Sequence, residues 1–165
     1  MIESDRLIFR KYHSDDLDQL LTMASDPDVM RYIGQGTTWT KEQAKESLDK
    51  FVNWYQSGLG LYIALDKRSN KMVGHSGLVP QTIEGNNEIE VGYWVVKDYW
   101  GQGYGLEQAK VWKQFGLSSL NKKRLVSIIQ HGNIGSMKVA EKNGMSYEKD
   151  IVFNGKEVAL YSVNQ

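Results

Sequence analysis

The 165-residue chain has no cysteine. That absence excludes disulfides, thiolate metal sites and a cysteine nucleophile. It also lacks an excess of charge of either sign, since 20 lysines and arginines stand against 20 aspartates and glutamates. Such a balance leaves no electrostatic footprint for a nucleic-acid backbone or an anionic membrane. No apolar run approaches the roughly 18 residues of a membrane span, and the opening MIESDRLIFR lacks the apolar core of a signal peptide. The three histidines, His13, His75 and His131, show no metal-ligand spacing, so no metal is expected. What remains is a chain of globular composition, 41% hydrophobic and 24% charged, long enough for one ordinary domain with a real core. The expectation is a single soluble, cytoplasmic α/β domain over residues 1–165, without nucleic-acid or membrane partners.

The local patterns place its elements. Arg6–Tyr12 reads as a strand, and Ser14-Asp15-Asp16 as a helix cap followed by Leu17, Leu20, Leu21 and Ala24 at helical spacing. Asp26-Pro27 offers a second cap. Thr40–Gln43 fits a capping box, with an apolar stripe through Ala44, Leu48, Phe51, Val52 and Tyr55 until Gly58. Leu61–Leu65 and Met72–Val79 read as a hairpin around the polar turn 66–71. From Glu88 to Val96 the chain alternates, Glu88, Glu90, Gly92 and Trp94 on one side, Ile89, Val91, Tyr93 and Val95 on the other. A helix of about 14 residues carrying Leu106, Ala109, Trp112 and Phe115 follows the glycine-rich stretch after Trp100. Then come a strand at Arg124–Gln130, a helix at Asn133–Asn143 and a hairpin turning on Asn154-Gly155.

Chemistry concentrates at two places. The turn Trp100-Gly-Gln-Gly-Tyr-Gly105 leads from a strand into a helix. Its glycines admit close approach to the backbone, and the unpaired N–H groups and dipole of a helix start favour an anion, a phosphate or pyrophosphate. The spacing is G-x-G-x-G, not G-x-G-x-x-G, and no G-K-[ST] occurs. Dinucleotide and Walker-type nucleotide readings are therefore disfavoured. Tight packing at the turn would also explain the glycines. The second place is Asn133-Ile-Gly-Ser136, where Asn133 can cap the helix and Ser136 follows on nearly the same face, with Gly144 as a C-terminal glycine.

Taken in order, the strand E-V-G-Y-W-V, the turn Y-W-G-Q-G-Y-G, and N-x-x-S-x-x-x-x-x-K-x-G resemble the GNAT superfamily of acetyl-CoA-dependent N-acetyltransferases. With R-L-I-F-R and D-P-D-V-M-R-Y-I they are similar to the Rim-type branch, which includes ribosomal-protein N-terminal and polyamine acetyltransferases. The resemblance covers about residues 4 to 163. It implies a mixed, mostly antiparallel sheet splayed between its fourth and fifth strands, Glu88–Val96 and Arg124–Gln130, and flanked by helices. In that opening the pantetheine arm of acetyl-CoA would pair with backbone near Trp94, Val95 and Val96. The amides of Gly101, Gln102, Gly103, Tyr104, Gly105 and Leu106 would hold the pyrophosphate. Asn133 would hydrogen-bond the pantetheine, and Ser136 would sit near the thioester sulfur.

The same resemblance makes Glu90 the general base, with Glu88 in reserve, and puts Tyr32 and Trp39 beside the acceptor site. Two departures stand out. Trp100 opens the loop where Arg or Gln is frequent, and Ala140 falls where the superfamily often has a tyrosine acid. The implied reaction is acetyl transfer from acetyl-CoA to a primary amine by direct attack in a ternary complex. The acceptor would be a small molecule or a protein N-terminus, and the enzyme a monomer or homodimer. Loss of Glu90 is expected to slow the reaction most at low pH. The alternatives left open are a non-catalytic acyl-CoA sensor and transfer of a longer acyl chain.

Overall fold

The computed structural model describes residues 1–165. Eight strands form one sheet: β1 (Ile2–Glu3), β2 (Leu7–Lys11), β3 (Gly60–Asp66), β4 (Met72–Ile83), β5 (Asn86–Val95), β6 (Arg124–Gln130), β7 (Ser146–Phe153) and β8 (Lys156–Asn164). Their spatial order is β1-β2-β3-β4-β5-β6-β8-β7. Every neighbouring pair is antiparallel except β5 and β6, which run parallel. The short β1 moves the expected count by one, so the splayed strands are the fifth and sixth.

The helices are α1 (Leu17–Ala24), α2 (Pro27–Met30), α3 (Lys41–Trp54), α4 (Tyr104–Gln114) and α5 (Ile134–Lys142). Thr40 and Gln43 close the capping box of α3 in both directions, at 2.9 and 3.1 Å. The Asp16 side chain does not cap α1; it accepts from the Arg10 guanidinium at 2.8 and 3.0 Å and from the His13 amide at 2.8 Å. The helix after the glycine turn continues past Gln114 as one wide turn, Phe115–Ser119.

Alternation along the strands sorts the core into two faces. Leu7, Phe9, Val73, Leu78, Val91 and Leu125 bury one face against Tyr104, Ala109 and Trp112 of α4. Tyr12, Leu61, Ile63 and Val79 bury the other against Leu20 of α1 and Ala44, Leu48 and Phe51 of α3. β4 runs on to Ile83, four residues beyond the expected end before Pro80. Its pairing with β3 ends at Leu78, so beyond that point β4 is open on one side. A proline there removes no rung from a neighbouring strand. The hairpin closes on Glu84-Gly85, both left-handed (φ 50° and 78°), as Asn154-Gly155 are in the β7–β8 turn (φ 51° and 80°).

The ladder pairing between β5 and β6 is confined to one register position, Glu90 opposite Val126. By contrast all of β6, Arg124–Gln130, pairs with β8. β6 therefore follows the twist of β8, and the sheet parts on the C-terminal side of Glu90.

Candidate active site

At the start of α4, Gly101 and Gly103 adopt φ of 74° and 83°, a region closed to most side chains. No side chain caps the helix, and none of the amides from Gly101 to Leu106 donates to a protein acceptor; the first bond of the turn is from the Glu107 amide to the Gly103 carbonyl, at 3.1 Å. These free donors face a cleft of about 560 Å³ between α4 and α5, reaching to Trp94 and Val95 at the end of β5. Gly101, Gly103, Tyr104, Gly105 and Leu106 line it, as do Asn133 and Ser136. The turn is thus open, and the dipole and unpaired N–H groups give it the character of an anion cradle.

Several of the expected coenzyme contacts already have partners within the protein. Val96 does not line the cleft, and its amide donates to the Val73 carbonyl at 2.7 Å. The Gln102 side chain folds back to the Asp98 carbonyl, at 3.4 Å, leaving only its backbone on the turn. The Val95 carbonyl accepts from the Trp100 indole at 2.9 Å, and the Trp94 carbonyl from Gln108 at 3.2 Å. Asn133 caps α5 by accepting from the Ser136 amide at 3.3 Å.

A second cavity, about 370 Å³, passes through the gap between β5 and β6. Tyr93, Trp94, Asn133 and Ser136 line both spaces, so the two communicate. Glu90 stands where the strands last touch. Its carboxylate accepts from the Gln81 amide at 2.9 Å. Burial nonetheless pushes its pKa from an ordinary 4.5 up to about 7, against the pull of Gln81 and the Ile128 backbone. A carboxyl tuned to neutrality beside a gap is suited to take a proton. Glu88 has the other fate: it accepts from Arg124 at 2.9 to 3.2 Å, and Arg124 also binds Glu148 at 2.6 Å. Its charge is spent on an ion-pair network.

On the opposite side of β5, the Tyr93 hydroxyl donates to Ser136 Oγ at 3.1 Å. Burial raises the Tyr93 pKa, with Ser136 opposing, so the phenol keeps its proton at neutral pH. Ala140, buried at the usual tyrosine position, leaves that role vacant on α5. In the sequence Tyr93 has no role beyond its place in the strand; its position on the face opposite Glu90 was visible, but its partner lies 43 positions away. Gln81 was missed likewise, and so were Lys138 and Lys142, which add positive charge to the cleft and repeat at one helical turn. If Tyr93 and Ser136 act as one relay, Tyr93→Phe and Ser136→Ala should each lower kcat about tenfold or less, because a thiolate departs readily. The double variant should be no slower than the worse single one; steady-state kinetics with additive losses would dissolve the relay.

Tyr32 and Trp39 both border the through-sheet cavity. His75 is buried beneath it, held neutral by burial with a pKa of about 3, and shares a hydrogen bond of 2.7 Å with the Tyr12 hydroxyl. His131 lies on the exposed surface, 3.4 Å from Asp150.

The sequence profile of the acetyltransferase (GNAT) domain matches residues 6–146. The uncharacterized protein YkkB of Bacillus subtilis (strain 168) is 34% identical over 164 residues, covering 96% of this chain and 92% of that one. Among solved structures, a GNAT-family acetyltransferase from Bacillus anthracis superposes with a TM-score of 0.81 at 25% identity, over 99% of this chain and 97% of that one. The RimL ribosomal L7/L12 α-N-protein acetyltransferase, solved in complex with coenzyme A, shares the fold at a TM-score of 0.76 and 17% identity, over 98% and 95% of the two chains. The splayed sheet, its amide-lined turn and these likenesses agree: the chain belongs to the GNAT acetyltransferase family and is an acetyltransferase of Rim-like fold.

Proposed function

We propose that the protein transfers the acetyl group of acetyl-CoA to a primary amine by direct attack, both substrates being bound at once. The observation that carries this reading is the gap itself, which joins an amide-lined cleft to a cavity holding a carboxyl poised near neutrality. Coenzyme A lies in the cleft with its pyrophosphate on the turn amides and its thioester directed toward Glu90. The RimL enzyme, of the same fold, is described in complex with coenzyme A.

The chemistry starts with the protonation state of the acceptor. An α-amino group is roughly a tenth neutral at pH 7, and a lysine-like amine less than about a thousandth. Glu90, as carboxylate, takes the proton from the ammonium, directly or through a water. The freed lone pair attacks the thioester carbonyl carbon, forming the N–C bond. The tetrahedral intermediate gives up its second nitrogen proton to water and collapses with cleavage of the C–S bond; the thiolate leaves as the anion, or receives a proton from Tyr93 through Ser136, Tyr93 then being reprotonated from solvent. Holding nitrogen and carbonyl together contributes several kcal/mol to the acceleration.

The test is an assay of free thiol against a panel of primary amines, with acetyl-CoA binding followed by calorimetry. Thiol released in equal amount to amide product is the expected result. Tight binding of acetyl-CoA with no thiol on any amine would replace the enzyme by a sensor.

A further inference from the structure

We propose that the acceptor is a small amine with a single positive charge and a flat apolar body, an arylalkylamine, rather than a protein N-terminus or a polyamine. This rests on the acetyl-transfer reading above and deepens it. Three features of the through-sheet cavity support it.

The first is the wall. Trp39, Phe51, Leu61, Val79 and Trp94 line the side of the cavity that shares a sheet face with Glu90. The Trp39 and Trp94 rings meet edge to face, 5.3 Å between centroids at 67°, and part of each remains accessible. An aromatic ring is the body that gains most against such a pair, through area and through offset or edge contacts. Trp94 stands four residues from Glu90 on the same face of β5, about 13 Å of strand. A short carbon tether and one ring bridge the space between two side chains so placed.

The second is charge. Glu90 is the only carboxylate among the lining residues, and the other charged one, Lys156, has the sign of the ammonium itself. His75 is neutral. A second ammonium, as on a polyamine, finds no partner there, and an unpaired charge is costly to bury.

The third is the rim. The segment between α2 and α3 contributes Tyr32, Ile33 and Gly34 to one lip, and the β7–β8 turn contributes Phe153 and Asn154 to the other. Gln130 Nε2 donates to the Gly34 carbonyl at 2.7 Å, and Gln35 Nε2 reaches the Asn154 carbonyl at 3.5 Å. The second of these joins the two lips and the first ties the α2–α3 segment to β6, so both narrow the way an emerging polypeptide would take.

Thiol release is measured with 2-phenylethylamine, spermidine and a short peptide beginning with alanine, at saturating acetyl-CoA. We expect kcat/KM for 2-phenylethylamine to exceed both others by at least tenfold. Spermidine or the peptide matching it would overturn the proposal and leave acetyl transfer intact. No release on any of the three, with acetyl-CoA bound, would overturn both. Trp39→Ala should raise KM for 2-phenylethylamine at least tenfold and leave acetyl-CoA affinity unaltered, since Trp39 does not line the coenzyme cleft. Trp39→Phe should restore most of that loss; an unchanged KM in the alanine variant would refute the aromatic wall.

Discussion

Glu90→Gln should lower kcat about a hundredfold at pH 8 and leave acetyl-CoA affinity near normal, in keeping with the usual worth of a positioned base. The sign of its pH dependence follows from the raised pKa. In the proposed role Glu90 works only as carboxylate, so the activity of the unmodified protein should fall as pH drops through about 7, and the difference between the two proteins should shrink toward acid. This reverses the expectation from the sequence, which set the largest loss at low pH by considering the amine alone. Stability moves the other way. A carboxyl whose folded pKa is raised stabilises the fold as the neutral acid, below its ordinary value, and that contribution is lost as pH rises through the folded pKa. At pH 8 to 9 the glutamine variant should therefore be more stable by about 1–3 kcal/mol, a figure reduced by water entering the cavity, and at pH 4 about equal. A slower enzyme that is also more stable, and only at high pH, is an outcome that simple damage to the fold does not produce. Denaturant melts beside kcat profiles read both; a kcat profile that keeps its inflection near pH 7 would remove Glu90 from the role.

Gly105→Trp should weaken coenzyme A binding by more than a hundredfold, about 2.7 kcal/mol. Gly105 has a helical backbone, unlike Gly101 and Gly103, so a side chain there is not excluded by φ. The obstacle is space: a Cβ would lie 3.0 Å from the Tyr93 ring. An indole has to turn away from that ring, into the cleft over the free amides. Calorimetry with coenzyme A, beside thermal melts without it, separates a blocked cradle from an unfolded protein. Tight binding by a folded Gly105→Trp variant would contradict the phosphate cradle.

The features legible in the sequence were those whose physics is local. The bare turn at 101–105, the alternation of β5, the Asn133 cap and the Thr40 box each lie within a few residues of their partners. The roles set by distant partners were hidden. Glu88 stood in reserve to Glu90 on the same face, and nothing local showed that Arg124, 36 residues along, would claim it. Tyr93 gained its meaning only when α5 brought Ser136 to it. Nothing near Val96 in sequence reveals that the Val73 carbonyl takes its amide. The strand read as Met72–Val79 runs on through Pro80 to Ile83, because a proline's tolerance depends on whether a third strand lies alongside.

One consequence of the unequal pairing of β6 concerns what evolution can improve here. The cheapest way to strengthen this sheet would be to complete the missing rungs on the far side of Glu90. Doing so would seal the passage in which the proposed reaction brings acetyl and amine together. The molecule is bound to remain less cohesive at its centre than its own backbone would allow, and selection for hardiness must find its gains at the periphery.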